Sequence, residues 1–164
     1  MIQLYLIRHG IAEEPGEAWP DDSRRPLTDE GMARLRKVAR GLAHLGVKMD
    51  VLLTSPMVRA RQTADIIASG LDPRPHIATI DSLAVGASVT AVFADLEKHA
   101  KRTSVGLVGH EPNIGELMGR LLGSKREFGF KKGAVCRIDV DALPPTARGE
   151  LRWFLPPKVL RNIR

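Results

Sequence analysis

Ile2-Gln3-Leu4-Tyr5-Leu6-Ile7-Arg8-His9-Gly10 opens as an apolar run and closes on two basic residues and a glycine. A short, nearly continuous apolar run reads as a strand buried on both faces, the kind found in parallel sheets. Gly10 then permits a tight turn. An arginine that closes a buried strand needs an anionic partner, because charged side chains are almost never buried unpaired. A histidine directly after it brings a ring that titrates near neutrality to the same spot.

The pattern repeats further along the chain. Val51-Leu52-Leu53-Thr54 is a second short strand and runs into Ser55-Pro56-Met57-Val58-Arg59. Ser104 to Val108 is another, followed by Gly109-His110-Glu111-Pro112. His76 to Ile80 is a shorter one. Helical patterns alternate with these strands. Thr28 reads as an N-cap, with Asp29 and Glu30 suited to the positive end of a helix carrying Met32, Leu35, Val38, Ala39, Leu42 and Leu45 up to Gly46. Ser55-Pro56 reads as a cap with proline at the first helical position, ahead of Ala60, Ala64 and Ile67. Val89, Val92, Phe93 and Leu96 mark a third helix. A fourth, capped by Asn113, carries Ile114, Leu117, Met118, Leu121 and Leu122. Ala134–Val140 and Glu150–Leu155 are two late strands joined through Pro144-Pro145, followed by a short basic tail.

Strand–helix alternation predicts a three-layer α/β/α sandwich with a mostly parallel central sheet. The late hairpin makes one strand antiparallel. The length of 164 residues fits one domain spanning residues 1–164, with no internal repeat or linker.

Composition narrows the function. Seven aromatic residues are too few for a platform on which bases stack, so nucleic acid is not the expected partner. No run approaches ~18 apolar residues, so no membrane helix is expected. Cys136 is the one cysteine, which excludes an internal disulfide and points to the cytoplasm. In mid-strand it reads as a small core residue. The net charge of +6 is uneven: residues 1–119 hold 14 basic and 15 acidic side chains, whereas residues 120–164 hold 11 and 4. That basic end is a solvated face or a docking surface for an acidic or phosphorylated partner.

In open parallel sheets, ligands bind beyond the carboxyl ends of the strands. His9, Arg59 and His110 therefore converge although they are far apart in sequence. Two histidines, two arginines and helix N-termini together suit an anion, and guanidinium groups pair with two phosphate oxygens in parallel. The same arginines repel a cation, and no zinc-ligand spacing is present, so neither metal nor cofactor is expected. The chemistry that fits is phosphoryl transfer to a neutral histidine, with cations stabilising the equatorial oxygens.

These residues resemble a known family. Leu6-Ile7-Arg8-His9-Gly10 is similar to the Arg-His-Gly signature of the histidine phosphatase superfamily, which also contains phosphoglycerate mutases. Arg25-Pro26-Leu27-Thr28, Ser55-Pro56-x-x-Arg59-Ala60-x-Gln62-Thr63 and Gly109-His110 follow in the family's order. The short chain looks most like the SixA-type phosphohistidine phosphatases, as do Lys132-Gly133-Ala134 and Trp153-x-Leu155-Pro156-Pro157-Lys158. The resemblance implies a phosphoglycerate mutase-like fold and a metal-independent phosphatase. It makes His9 the phosphorylated nucleophile and Arg8, Arg59 and His110 the phosphate pocket. Ser55 shapes the pocket loop and is a weaker candidate for phosphate contact.

There is one departure. Many superfamily members use a glutamate proton donor after a mid-chain strand, and the matching region, Ile80-Asp81-Ser82-Leu83-Ala84-Val85-Gly86, offers only Asp81. Glu13 and Glu111 are the other candidate donors. Without a strong donor, a phosphoramidate is the better substrate, since a leaving imidazole is easily protonated. The expected partner is thus a protein carrying phosphohistidine. The alternatives are a small phosphorylated metabolite such as a sugar or nucleotide-related ester, or a non-catalytic phosphate-binding module.

Overall fold

The computed structural model describes residues 1–164. In chain order the elements are β1 (Ile2–Arg8), α1 (Asp29–His44), β2 (Val51–Thr54), α2 (Val58–Ser69), β3 (His76–Thr79), α3 (Val89–Glu97), β4 (Ser104–Gly109), α4 (Asn113–Leu121), β5 (Val135–Val140), β6 (Glu150–Leu155) and α5 (Pro157–Leu160). Short 3-10 turns lie at Asp22–Arg24 and Asp81–Leu83. The strands form one sheet in the order β3-β2-β4-β1-β5-β6. β1 to β4 pair in parallel, and β5 runs against both β1 and β6. The mixed sheet anticipated from the sequence is the one observed, with β5 as its single reversed strand.

Side chains of β1 alternate between the two faces, as strand geometry requires. Leu4 and Leu6 join Val92, Leu96, Ile114 and Leu117 from α3 and α4. Tyr5 and Ile7 join Leu35, Val38 and Leu42 of α1, Ala60 and Ile67 of α2, and Leu160 of α5. Two helical layers therefore enclose the sheet. No helix is long and apolar enough to cross a membrane.

Thr28 caps α1 as expected, its hydroxyl accepting from the Gly31 N–H at 2.9 Å. Three local expectations are corrected. α2 begins at Val58, and its cap position is Met57 rather than Ser55; the Ser55 hydroxyl instead accepts from the Met57 N–H at 3.2 Å. Asn113 is the first residue inside α4 rather than its cap, because its amide donates to the Ala87 carbonyl at 2.7 Å. The strand expected over His76–Ile80 ends at Thr79; the short basic tail begins with the helix α5, opened by Pro157, and Leu160 is fully buried against α1.

A β-carbon on Gly41 would collide with the Leu160 carbonyl, so this glycine permits the close approach of α5 to α1. Gly41→Ala is expected to cost about 1–3 kcal/mol, the usual scale for overpacking. A thermal melt checks it, and an unchanged midpoint would show that α5 contributes little to stability.

Candidate active site

β4 lies between β1 and β2, so the carboxyl ends of three adjacent strands lie side by side. Arg8 pairs in register with Gly109, and Thr54 with Val108. The ladder continues one residue past the strands: the His9 N–H donates to Gly109 O at 3.1 Å, and the Ser55 N–H to Val108 O at 3.0 Å. His9, Ser55 and His110 therefore leave the sheet at one level, and all three are buried. The two imidazole rings are tilted with centroids 5.0 Å apart.

His9 Nδ1 lies 2.7 Å from the Gly10 carbonyl oxygen. A carbonyl oxygen only accepts, so Nδ1 carries the proton and Nε2 keeps its lone pair. Burial, offset in part by that hydrogen bond and reinforced by the positive charges of Arg59, Arg8 and Lys132, lowers the His9 pKa to about 4. His110 is lowered to about 3, first by burial, then by His9 and Arg59. The arginines do act on His9, but burial acts more strongly. Both rings are thus neutral at pH 7.

His110 Nε2 is 2.8 Å from the Ser55 hydroxyl. Ser55 thereby orients His110 while its own oxygen is held by the Met57 N–H. Arg8 donates through Nη1 to the Phe130 carbonyl at 2.7 Å. Arg59 is 3% exposed and donates to both the backbone carbonyl (2.9 Å) and the carboxylate (3.0 Å) of Asp22. Arg8 Nε, Arg59 Nε and His110 Nδ1 are buried without a hydrogen-bond partner. Leaving such a group unpaired costs about 1–3 kcal/mol each, so three at one spot mark a place shaped for an oxyanion.

The motif neighbours tie the loops together. Gln62 accepts from the Leu27 N–H at 2.8 Å. Thr63 accepts from the Gly10 N–H at 3.1 Å and donates to the Arg59 carbonyl at 2.7 Å. Ala12 bridges to Leu27, closing the acidic loop at its base.

The candidate proton donors stand differently. Asp81 is exposed, on the 3-10 turn after β3. Glu13 is exposed, and it is engaged through its backbone alone: its N–H donates to the Pro26 carbonyl and its carbonyl accepts from Arg25 Nη1, each at 2.8 Å. Glu111 is half-buried and accepts from the Gly115 N–H at 3.0 Å in the first turn of α4. Burial raises its pKa, and the Arg8 charge opposes that. Asp22, which sequence reasoning missed, is held ionised below the usual carboxylate range, first by its hydrogen bond from Arg25 and also by Arg59. Phe130 was missed as well, whereas Thr63 and Lys132 stood in the motifs without a role assigned to them.

The buried neutral histidines carry a pH signature. Histidines titrate near ~6.5 in an unfolded chain but at about 4 and about 3 here. The unfolded state therefore binds more protons between those values, so stability rises with pH up to ~6.5 and is flat above. Lowering the pH from 7 to 5 should cost on the order of 2 kcal/mol per histidine. Urea unfolding at both values checks this, and His110→Gln should remove its share. Equal losses in wild type and variant would overturn the assignment.

The model of the histidine phosphatase superfamily (branch 1) matches residues 4–84. The phosphohistidine phosphatase SixA of Escherichia coli is 27% identical over 158 residues, covering 95% of this chain and 94% of that one. The solved structure of the protein histidine phosphatase SixA complexed with tungstate superposes with a TM-score of 0.86 at 27% identity, covering 97% of this chain and 99% of that one. An uncharacterised protein of Picosynechococcus sp. is 42% identical over 118 residues, 70% of each chain. With Arg8-His9-Gly10 at the end of β1 and the second histidine beyond β4, the chain belongs to the histidine phosphatase superfamily.

Proposed function

We propose that this phosphatase removes phosphate from phosphohistidine in proteins, through a phosphohistidine intermediate on His9 and without a metal. The observation that carries the reading is the locked tautomer of His9. Its Nδ1–H is spent on Gly10 O, so Nε2 is neutral and lies among the cations Arg8, Arg59 and Lys132. Nε2 attacks phosphorus in line. The bond from phosphorus to the substrate nitrogen breaks, and its electron pair returns to the imidazole, which departs neutral because its other ring nitrogen already carries a proton. Arg8 and Arg59 offer Nε–H to the phosphoryl oxygens. With the Ser55 hydroxyl donating to His110 Nε2, His110 keeps its proton on Nδ1 and is a third donor. Water then attacks phosphorus, the P–Nε2 bond breaks, and phosphate leaves with His9 neutral again.

The carboxyl groups support a nitrogen leaving group. Asp22 is held as a carboxylate, Asp81 and Glu13 are exposed, and Glu111 is tied to the start of α4. An alkoxide needs a proton in the transition state, and a missing general acid costs about 10²–10⁴ in rate. An imidazole, whose nitrogen is protonated near neutrality, does not depend on one.

The test compares a phosphohistidine-carrying protein, p-nitrophenyl phosphate and a sugar phosphate. The first two should turn over about 10²-fold or more faster than the third. EDTA should change none of the rates. Asp81→Asn should alter each rate by less than about threefold, since a surface change away from the reacting atoms has a small effect. Sugar phosphates cleaved as fast as phosphohistidine, or Asp81→Asn inactive on every substrate, would make Asp81 the acid and a small-molecule phosphatase the better reading.

A further inference from the structure

The net positive charge of the chain is not spread evenly around the fold. Lys37, Arg40 and His44 recur at i, i+3 and i+7, so they share one face of α1. The residues after α5 lie beside that face and add Arg161 and Arg164. Together they line an open groove of about 500 Å³ that contains no acidic side chain. None of these four lysine and arginine side chains forms an ion pair, whereas Arg34 on the same helix is paired with Glu30. Unpaired cations held side by side repel one another, so the arrangement gains nothing for the fold.

The groove connects to the candidate active site. Arg161 also lines a narrower cleft with Gly10, Leu35, Lys132 and Gly133. Gly10 follows His9, and Lys132 is one of the charges that act on His9. Lys37 is six residues from Gly31, the first of the α1 residues that line that cleft, which is ~9 Å along the helix. A second segment beside the site has the opposite sign. Glu13, Glu14, Glu17 and Asp21 lie on the loop that leans on α2 through the Asp22–Arg59 pair.

We propose that the α1–α5 groove is the docking surface for an acidic face of the phosphohistidine-carrying protein, a proposal that rests on the function given above. A specific protein interface covers about 800 Å² per partner, a disc of roughly 16 Å radius. A partner that presents its phosphohistidine to His9 is therefore wide enough to extend along α1 towards Lys37 and Arg40. The cations are spread along an open groove rather than converging on one point, so they suit a protein face and not a single phosphate. Only Ile163 is hydrophobic among the lining residues, and no aromatic ring is present to stack a base. The acidic loop, held beside the site by the Asp22–Arg59 pair, repels the same partner face, so the two segments of opposite charge together bias the partner's orientation.

The experiment uses the full chain with Lys37→Glu, Arg40→Glu and Arg164→Glu combined, all three being exposed positions. The probes are an acidic histidine-containing phosphotransfer domain phosphorylated with phosphoramidate, free phosphohistidine, and p-nitrophenyl phosphate. For the protein probe, wild-type kcat/KM should fall steeply with added salt. The variant should lose about tenfold or more through KM, and most of the salt dependence. Its turnover of both small substrates should match wild type. A neutral version, with glutamine at the same positions, should fall between the two. Equal losses on the small substrates, or no loss on a protein probe that wild type hydrolyses, would overturn the docking surface and leave the function standing. Wild type that cleaves p-nitrophenyl phosphate but neither form of phosphohistidine would overturn the function, and this proposal with it. Duplex DNA or anionic vesicles that bind wild type as tightly as the protein probe, and lose the variant equally, would make the groove a general polyanion site instead.

Discussion

His9→Ala is expected to abolish phosphoenzyme formation and to lower turnover of an aryl phosphate by on the order of 10⁴-fold or more, the scale for loss of a nucleophile. The residual rate should be that of oriented cations acting on bound substrate with water as attacker. In wild type, an alkaline denaturing quench during turnover of labelled substrate should trap a base-stable, acid-labile label on His9. The competing nucleophiles are poorly placed. Cys136 is fully buried in β5, where burial pushes its thiol up to about 12. The Ser55 hydroxyl is fully buried and engaged with both the Met57 N–H and His110. Label on Ser55 or Cys136, or a His9→Ala variant that still forms phosphoenzyme, would overturn the mechanism. Retained cooperative unfolding in the variant is the needed control. Removing a ring that resists protonation should also make the fold less sensitive to acid.

β1 and β2 were legible to the residue because a buried parallel strand needs an apolar run and ends where a polar or turn residue follows. The acidic, proline-broken stretch of residues 13–30 read as loop, which holds up to Thr28 apart from the 3-10 turn at Asp22–Arg24. The start of α2 was not. Ser followed by Pro is the common pattern for a helix cap, and only the partner 55 residues away, His110, takes the Ser55 hydroxyl out of that role. Asn113 failed in the same way, through Ala87. The core of the site was readable because each member follows a strand. Its supports were not: Arg59 meets Asp22 across 37 residues, and Arg8 meets the Phe130 carbonyl across 122. Such pairings leave no local period in the sequence. Asp22 lay in plain view within the acidic loop, but only the fold shows that it holds Arg59.

That hold shapes the second large effect. Arg59→Ala and Arg8→Ala should each lower kcat by about 10²–10³, the cost of removing one oriented transition-state donor. Arg59 gives its terminal nitrogens to Asp22 and Arg8 gives Nη1 to Phe130, which fixes the direction of each buried Nε. Arg59→Lys keeps the charge, but an ammonium cannot make both Asp22 contacts and still offer a directed N–H. It should therefore recover less than about tenfold of the Arg59→Ala loss. Vanadate, which adopts the geometry of the transferring phosphoryl group, should inhibit wild type competitively and bind the two alanine variants weakly. The loss should lie in kcat more than in KM, because the donors matter most where charge spreads over the equatorial oxygens. Folding is a separate matter for Arg59, since its removal leaves Asp22 with Arg25 alone, although Asp22 is half-exposed and easily solvated. Unfolding curves close to wild type, together with the kcat loss, are thus the expected pair of results. Full activity in either alanine variant would place that arginine outside the transition state, and a loss confined to KM would make it a binding group only.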